Sequence, residues 1–231
     1  MRKHQLSQHF LRSPRLALML IGHTNIKKRD LVIDIGAGSG VITAALAKRC
    51  REVWAVEPDE QTFRRLKNNL GFAGGAQAAA ELKRRDPVKT GVANASGKAK
   101  IVFKQQDFLT IAMPPGPYKV FANPPFHLSS KILHKLVESD NPPEAIYLIL
   151  QKQLALKLIN TDRHYTSQLG QEINQKYQTK IRYPLKPTDF TPPPAVPTVL
   201  YEAKLISAQL PDISSRSPSP TSGQNHPAVS C

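Results

Sequence analysis

The segment LVIDIGAGSG, residues 31–40, constrains the fold more than any other part of this sequence. Four large aliphatic side chains at its start are enough for one short buried strand. Glycines follow at Gly36, Gly38 and Gly40, and the apolar segment 41–47 then favours a helix. A strand, a tight glycine turn and a helix N-terminus let a ligand approach bare backbone N–H groups. Dinucleotide, nucleotide and S-adenosylmethionine folds all use such a turn, so this segment alone does not identify the ligand.

A second apolar run narrows the choice of ligand. Residues 53–56 read as another strand that ends in an acid, Glu57. An acid about 20 residues after a glycine turn is typical of a side chain that binds a ribose diol. The alternative, a solvated loop residue, is equally compatible with these two elements alone.

Strands and helices alternate along most of the chain, which predicts an α/β fold built on a doubly wound, mostly parallel sheet. Ser13-Pro14 is a helix start, with Ser as the N-cap and Pro at the first helical position. Two more strands, near 176–183 and 198–206, are expected to close the sheet. The other predicted strands and helices alternate, with strands at 31–35, 53–57, 100–103, 119–122 and 146–150 and helices at 41–47, 60–70, 130–137 and 151–159.

Composition divides the chain into unequal parts. Residues 1–30 form a basic arm and a helix that we expect to lie over the ligand site, and 31–206 form the main domain. Within it, 72–98 is rich in Gly, Ala and basic residues and is interpreted as a partly helical, mobile insertion. Residues 207–231 are polar and rich in Ser and Pro, which predicts a disordered tail.

The charge of the chain points to a polyanionic partner. There are 32 Lys and Arg against 17 Asp and Glu, a formal charge of +15, which favours nucleic acid over an anionic membrane surface. The apolar run 16–21 is too short to span a membrane. Cys50 and Cys231 offer neither a disulfide framework nor metal-ligand spacing. We therefore expect a cytoplasmic monomer that binds no metal ion and no membrane.

The tetrapeptide Asn123-Pro124-Pro125-Phe126 carries the most specific chemistry. Its prolines stiffen the loop and remove backbone donors, so the Asn123 oxygen and the Pro124 carbonyl can accept from a planar amino group. Such a group is a poor nucleophile until its lone pair is localised by two acceptors. Phe126 offers a face on which an extruded base can stack, worth about 1–3 kcal/mol. The competing interpretation is a simple Asn-Pro turn.

Four of these features are expected to meet in space. Gly36, Glu57, Asp107 and Asn123 each follow a predicted strand. Ligands of open α/β sheets bind beyond the carboxyl ends of the strands. The sequence therefore predicts one crevice lined by a glycine turn, two acids and the Asn-Pro-Pro-Phe loop.

With these motifs in place, the chain resembles the rRNA adenine N6-dimethyltransferase family, which includes the Erm and KsgA-type enzymes. The resemblance runs from about residue 3 to 205 without the insertion, and rests on segments 7–11, 32–40, 56–57, 106–107, 123–130 and 190–196. It implies S-adenosyl-L-methionine as cofactor and rRNA as partner. The implied cofactor-binding residues are His9, Leu11, Gly36, Gly38, Glu57, Asp107 and Asn123. The implied catalytic residues are Asn123, Pro124 and Phe126.

The sequence departs from the family pattern in four places. His9 stands where the family's Gln-Asn-Phe-Leu motif has Asn, and Pro124 where Ile or Leu is usual. The insertion 72–98 is unusual, and the family's C-terminal helical domain has no counterpart in the tail 207–231.

Three classes of function are compatible with the sequence: methylation of rRNA adenine, methylation of another adenine or a glutamine, and nucleic-acid binding without catalysis. The leading one is methyl transfer to adenine N6 in 23S rRNA with macrolide-type resistance, because His-Leu-Ser after Phe126 is more Erm-like than KsgA-like. A KsgA-like 16S rRNA dimethyltransferase is the first alternative, and methylation of DNA adenine or protein glutamine is also compatible with the loop. The third is a non-enzymatic nucleic-acid-binding protein on the same scaffold.

Overall fold

A computed structural model of the chain describes residues 9–71, 90–93, 99–159 and 166–206. The predicted tail, most of the predicted insertion and the first eight residues lie outside these ranges. Among the described residues, the main sheet has eight strands in the order β4-β5-β3-β2-β6-β7-β10-β8. Its strands are β2 (Leu31–Ile35), β3 (Glu52–Val56), β4 (Thr90–Ala93), β5 (Lys100–Lys104), β6 (Lys119–Ala122), β7 (Ala145–Gln151), β8 (Tyr177–Leu185) and β10 (Thr198–Leu205).

The central strands β5, β3, β2, β6 and β7 are parallel, whereas β10 pairs antiparallel with both β7 and β8. The doubly wound α/β prediction is thus confirmed. Predicted strand bounds hold to within two residues. One prediction was incomplete: residues 90–93 of the predicted insertion form β4, which pairs antiparallel with β5 and extends the sheet.

Helices cover both faces of the sheet. The helices are α1 (Pro14–Gly22), α2 (Val41–Ala47), α3 (Glu60–Asn69), α4 (Ser129–Glu138), α5 (Lys152–Leu158) and α6 (Gln168–Lys176). Helices α1, α2 and α3 supply buried residues on one face, and α4, α5 and α6 on the other. Because β2, β3, β6 and β7 are covered twice, they are aliphatic and aromatic almost throughout. No helix within the described ranges is long and apolar enough to cross a membrane.

Helix starts follow the side-chain chemistry. The Ser13 hydroxyl accepts from the Leu16 N–H at 3.3 Å, and Pro14 is the first helical residue, as predicted. Helix α4 begins one residue earlier than the predicted range 130–137, with Ser129 as its first residue. A short 3-10 turn at Phe126–Leu128 leads directly into the helix and leaves no extended residue to cap it.

A second, two-stranded sheet joins the ends of the domain. In it β1 (Phe10–Leu11) pairs antiparallel with β9 (Phe190–Thr191). The Arg12 N–H extends the pairing by donating to the Asp189 carbonyl at 3.0 Å. This pairing holds the N-terminal segment across the carboxyl ends of the central strands.

Candidate active site

One cavity opens at the carboxyl ends of β2, β3, β5 and β6, where the strand order reverses between β2 and β6. Such a switch point is where doubly wound sheets bind ligands. The cavity brings together Gly36, Glu57, Asp107 and Asn123, the four residues that the sequence predicted to meet. Its lining is completed by His9, Phe10, Ile35, Val56, Pro58, Phe108, Leu109, Pro125, Leu128 and Ile132.

Glu57 is buried and organises the glycine turn. One carboxylate oxygen accepts from the Gly38 N–H at 3.0 Å, and the other from the Asp59 N–H at 3.1 Å. Burial raises the pKa of Glu57 above its usual range, and these two backbone bonds act in the opposite direction. A carboxylate oxygen has two lone pairs. The Glu57 side chain can therefore accept from two ribose hydroxyls without giving up its backbone partners.

Asp107 sits at the other side of the cavity as the N-cap of a short 3-10 turn. Its Oδ1 atom accepts from the Leu109 N–H at 2.9 Å, and the residue is exposed. Phe108 and Leu109 lie directly beside it in the cavity wall. A carboxylate next to apolar side chains fits a flat, partly polar ring such as adenine.

Gly38 depends on having no side chain. Its φ angle is +56°, and a Cβ built there would lie 2.9 Å from Cε1 of Phe10. Phe10 thus covers the glycine turn from above. The sequence did not single out Phe10, although it lies within the quoted N-terminal motif.

The Gly38→Ala variant should therefore bind S-adenosylmethionine roughly tenfold more weakly and also unfold more easily, by about 1–2 kcal/mol for a left-handed non-glycine residue. Gly71→Ala is the matched control, because Gly71 has φ +78° and nothing within 4 Å of a built Cβ. Calorimetric titration and urea denaturation of both variants separate the two effects. If Gly38→Ala and Gly71→Ala bound the cofactor equally well, the close approach of Phe10 to Gly38 would not contribute to cofactor binding.

Leu11 is not at the cavity, although the resemblance implied a cofactor contact. It is 5% exposed and packs in the core with residues of α1 and α2. Neighbouring residues of a strand point to opposite sides, so β1 directs Phe10 to the cavity and Leu11 to the core.

Asn123 has its amide orientation set by a main-chain carbonyl. Its Nδ2 donates to the His9 carbonyl oxygen at 2.5 Å. A carbonyl only accepts, so the amide nitrogen must face His9. The Asn123 oxygen is then left for another donor at the cavity, which is what activation of a planar amino group requires.

The other three residues of the tetrapeptide differ in their burial and their contacts. Pro124 is buried, whereas Pro125 lines the cavity and its Cδ lies 3.9 Å from a Cβ built at Gly36. The Phe126 ring is half-buried and packs near the His9 ring, with centroids 5.2 Å apart.

Asp34, in the middle of β2, is a polar residue that sequence reasoning missed. It is fully buried, its Oδ2 accepts from the Thr43 hydroxyl at 2.6 Å, and its Oδ1 has no hydrogen-bond partner. Burial raises the pKa of Asp34 to about 7, with the nearby Glu57 carboxylate adding to the increase. An acid inside an aliphatic strand was the available signal, because burying a carboxylate is costly.

This raised pKa predicts a pH dependence of stability. Between pH 3.8, the usual value, and pH 7 the folded protein holds the Asp34 proton and the unfolded chain does not. Stability should therefore fall as pH rises across this window, by up to about 1.4 kcal/mol per pH unit. Asp34→Asn has no proton to lose, so its stability relative to wild type should increase from pH 4 to pH 7. Urea denaturation of the cofactor-free proteins measures this difference, and a constant difference across the window would contradict it.

A separate group of metal-ligating side chains lies on the helical surface. Atoms of His134, Glu138 and Glu172 lie within 4.8 Å of one another among the described residues. None of the three lines the cavity, and Glu138 is exposed. They form a partly exposed cluster between α4 and α6, in which His134 Nδ1 lies 3.6 Å from Glu138 and 3.7 Å from Glu172.

The sheet order and the cavity at its switch point give the chain the Rossmann-like α/β fold that S-adenosyl-L-methionine-dependent methyltransferases share. The model of the ribosomal RNA adenine dimethylase family matches residues 1–215. The chain belongs to this family.

Relatives with assigned names support the same family. An rRNA adenine N-6-methyltransferase from Escherichia coli is 28% identical over 89% of this chain and 72% of its own length. A dimethyladenosine transferase from Candida glabrata is 27% identical over 67% of this chain, but the match spans only 41% of that protein. For a small-subunit rRNA methyltransferase A from Dehalococcoides mccartyi the identity is 29%, with 67% of this chain and 46% of the relative covered. The chain thus spans less than half the length of the latter two.

Two solved structures share the fold. The 23S rRNA methyltransferase ErmE superposes with a TM-score of 0.67 at 21% identity, over 86% of this chain and 70% of its own. A dimethyladenosine transferase from Plasmodium falciparum gives a TM-score of 0.66 at 21% identity, over 87% and 64%.

Proposed function

We propose that this protein transfers a methyl group from S-adenosyl-L-methionine to the N6 amino group of an adenine in rRNA, with 23S rRNA as the target. Membership of the adenine dimethylase family supports the reaction. The observation that carries the proposal is the Asn123 amide, which is anchored through its nitrogen and presents its oxygen at the cavity.

The residues would have two separate roles, some binding the cofactor and others positioning the target base. Glu57 and the glycine turn would hold the ribose, and Asp107 with Phe108 would hold the cofactor's adenine ring. S-adenosyl-L-methionine supplies a methyl group on a positively charged sulfur. Asn123 would accept a hydrogen bond from the target amino group and help localise its lone pair. Phe126 would stack the extruded base. As the amino nitrogen bonds to the methyl carbon, the carbon–sulfur bond would break, the sulfur would keep the electron pair as a neutral thioether, and the amino nitrogen would lose one proton to solvent.

The choice of 23S rRNA has its own support. Residues 127–129 read His-Leu-Ser, the form that the resemblance associates with Erm rather than KsgA-type enzymes. Macrolide resistance would follow from methylation of 23S rRNA. The Dehalococcoides mccartyi relative, named as a small-subunit rRNA methyltransferase, supports 16S rRNA as the second candidate.

Transfer of labelled methyl to naked 23S rRNA, naked 16S rRNA and 30S particles tests the proposal, with the modified base then mapped by primer extension. We expect label on a 23S adenine, and raised macrolide resistance in a sensitive bacterium that expresses the protein. Label only on small-subunit adenines would replace the 23S assignment by the 16S one. Cofactor binding without transfer to any RNA would overturn the proposed reaction and favour a non-enzymatic RNA-binding protein.

A further inference from the structure

Within the described part of the chain, three contacts define the surroundings of His9, and they run to Pro192, Phe126 and Asn123. Its ring Nδ1 lies 2.9 Å from the Pro192 carbonyl oxygen. The ring packs near Phe126 with 5.2 Å between centroids and 33° between planes. Its own main-chain oxygen accepts from Asn123 Nδ2. The residue therefore links the N-terminal strand, the loop after β9 and residues 123–126. We call residues 123–126 the target-base loop, because the target base is proposed to bind there.

The Pro192 contact determines that the Nδ1 atom of the His9 imidazole carries a proton. Because a carbonyl oxygen can only accept, His9 Nδ1 carries the proton and donates it. A ring that is bonded at one nitrogen and packed against a second ring has few other rotamers available. The His9 side chain thus contacts both Pro192, directly after β9, and the Phe126 ring.

We propose that His9 is a positioning residue for the target-base loop, acting on Asn123 and Phe126 rather than on the cofactor. This proposal rests on the function proposed above. It differs from the cofactor contact implied by the family resemblance, in which Asn occupies this position. In this chain the imidazole holds the Phe126 ring, and the strand that it anchors presents the carbonyl that orients Asn123.

The geometry assigns the effect to the chemical step. The cofactor side of the cavity is organised by Glu57, whose bonds run to Gly38 and Asp59. The side-chain contacts of His9 run instead to Pro192 and Phe126, and its carbonyl contacts Asn123, where the amino group would react. Loss of the imidazole should therefore misalign the acceptor and the stacking ring, while the ribose site stays intact.

Steady-state kinetics of His9→Ala, His9→Phe and His9→Asn test this assignment. We expect kcat to fall about tenfold in His9→Ala, with the S-adenosylmethionine Kd changed less than about twofold. His9→Phe keeps an aromatic ring and His9→Asn keeps a donor, so the kcat of each should lie between those of His9→Ala and wild type. His23→Ala is the matched control, because that ring stacks on Tyr183, 5.3 Å between centroids, outside the cavity. A Kd that weakens as much as kcat falls would overturn the proposal, and so would an unchanged kcat.

A double-mutant cycle with Phe126 adds a readout of the contact itself. If His9 acts partly through the Phe126 ring, His9→Ala should cost less than about threefold in a Phe126→Ala background. Full additivity of the two losses would overturn the coupling.

Hydrogen exchange keeps this test independent of the reaction. Amides of residues 126–128 should exchange at least about threefold faster in cofactor-free His9→Ala than in wild type or His23→Ala. If wild type transfers no methyl to any RNA, the proposed function fails, and the exchange rates still decide the role of His9. Unchanged exchange in His9→Ala would overturn it.

Discussion

We expect the Asn123→Ala variant to lose methyl transfer to rRNA by roughly 10²–10³-fold, the effect of removing one preorganised polar group from a reacting centre. The Asn123 amide is held by the His9 carbonyl, so its oxygen is already placed before the base arrives. Alanine removes that acceptor but leaves Glu57 and Asp107 in place. Single-turnover transfer and calorimetric titration of S-adenosylmethionine measure the two quantities, and the affinity should change little.

Asn174→Ala is the matched control for this prediction. Asn174 also donates from Nδ2 to main-chain carbonyls, those of Leu158 at 2.9 Å and Gly170 at 2.7 Å, but it does not line the cavity. It should transfer methyl at close to the wild-type rate. Near-wild-type turnover in Asn123→Ala would contradict the mechanism, and a parallel loss of cofactor affinity would assign Asn123 to the cofactor instead.

The Glu57→Ala variant should bind S-adenosylmethionine at least roughly tenfold more weakly. Two ribose hydroxyls would lose a charged acceptor, and each such bond is worth about 1.5–3 kcal/mol. The structure adds a second consequence. Both Glu57 oxygens accept backbone N–H groups, one of them from the buried Gly38 turn, so the variant leaves that donor unpaired. Unfolding free energy should therefore fall by about 1–3 kcal/mol even without cofactor.

Glu60→Ala serves as the control, since Glu60 lies three residues further on and its ion pair among the described residues is with the exposed Arg64, at 2.7 Å. An exposed i,i+4 pair contributes little, so neither affinity nor stability should change measurably. Calorimetry gives the affinities and urea denaturation the free energies of unfolding. Unchanged affinity in Glu57→Ala would show that this carboxylate does not bind the ribose.

Much of the fold could be predicted because its signals are local. The aliphatic runs of β2, β6 and β7 predicted buried parallel strands, and Ser13-Pro14 predicted the start of α1. The glycine turn predicted where a ligand approaches the backbone. What could not be predicted was β4, because Thr90–Ala93 lies within a Gly- and Ala-rich segment without an apolar run. Its strand forms by pairing with β5, a contact that its own sequence does not encode.

The sequence by itself determined the α/β class, the alternation of strands and helices along the chain and the four positions that meet at the cavity. This was possible because each of those positions follows a strand, and parallel strands end at one edge of the sheet. Only the tertiary structure decided how these groups are held. The bond from His9 to Pro192 joins residues 183 positions apart, and that from Asn123 to His9 joins residues 114 apart. Contacts over such separations depend on how β1 docks against β9, and no local pattern of residues records them.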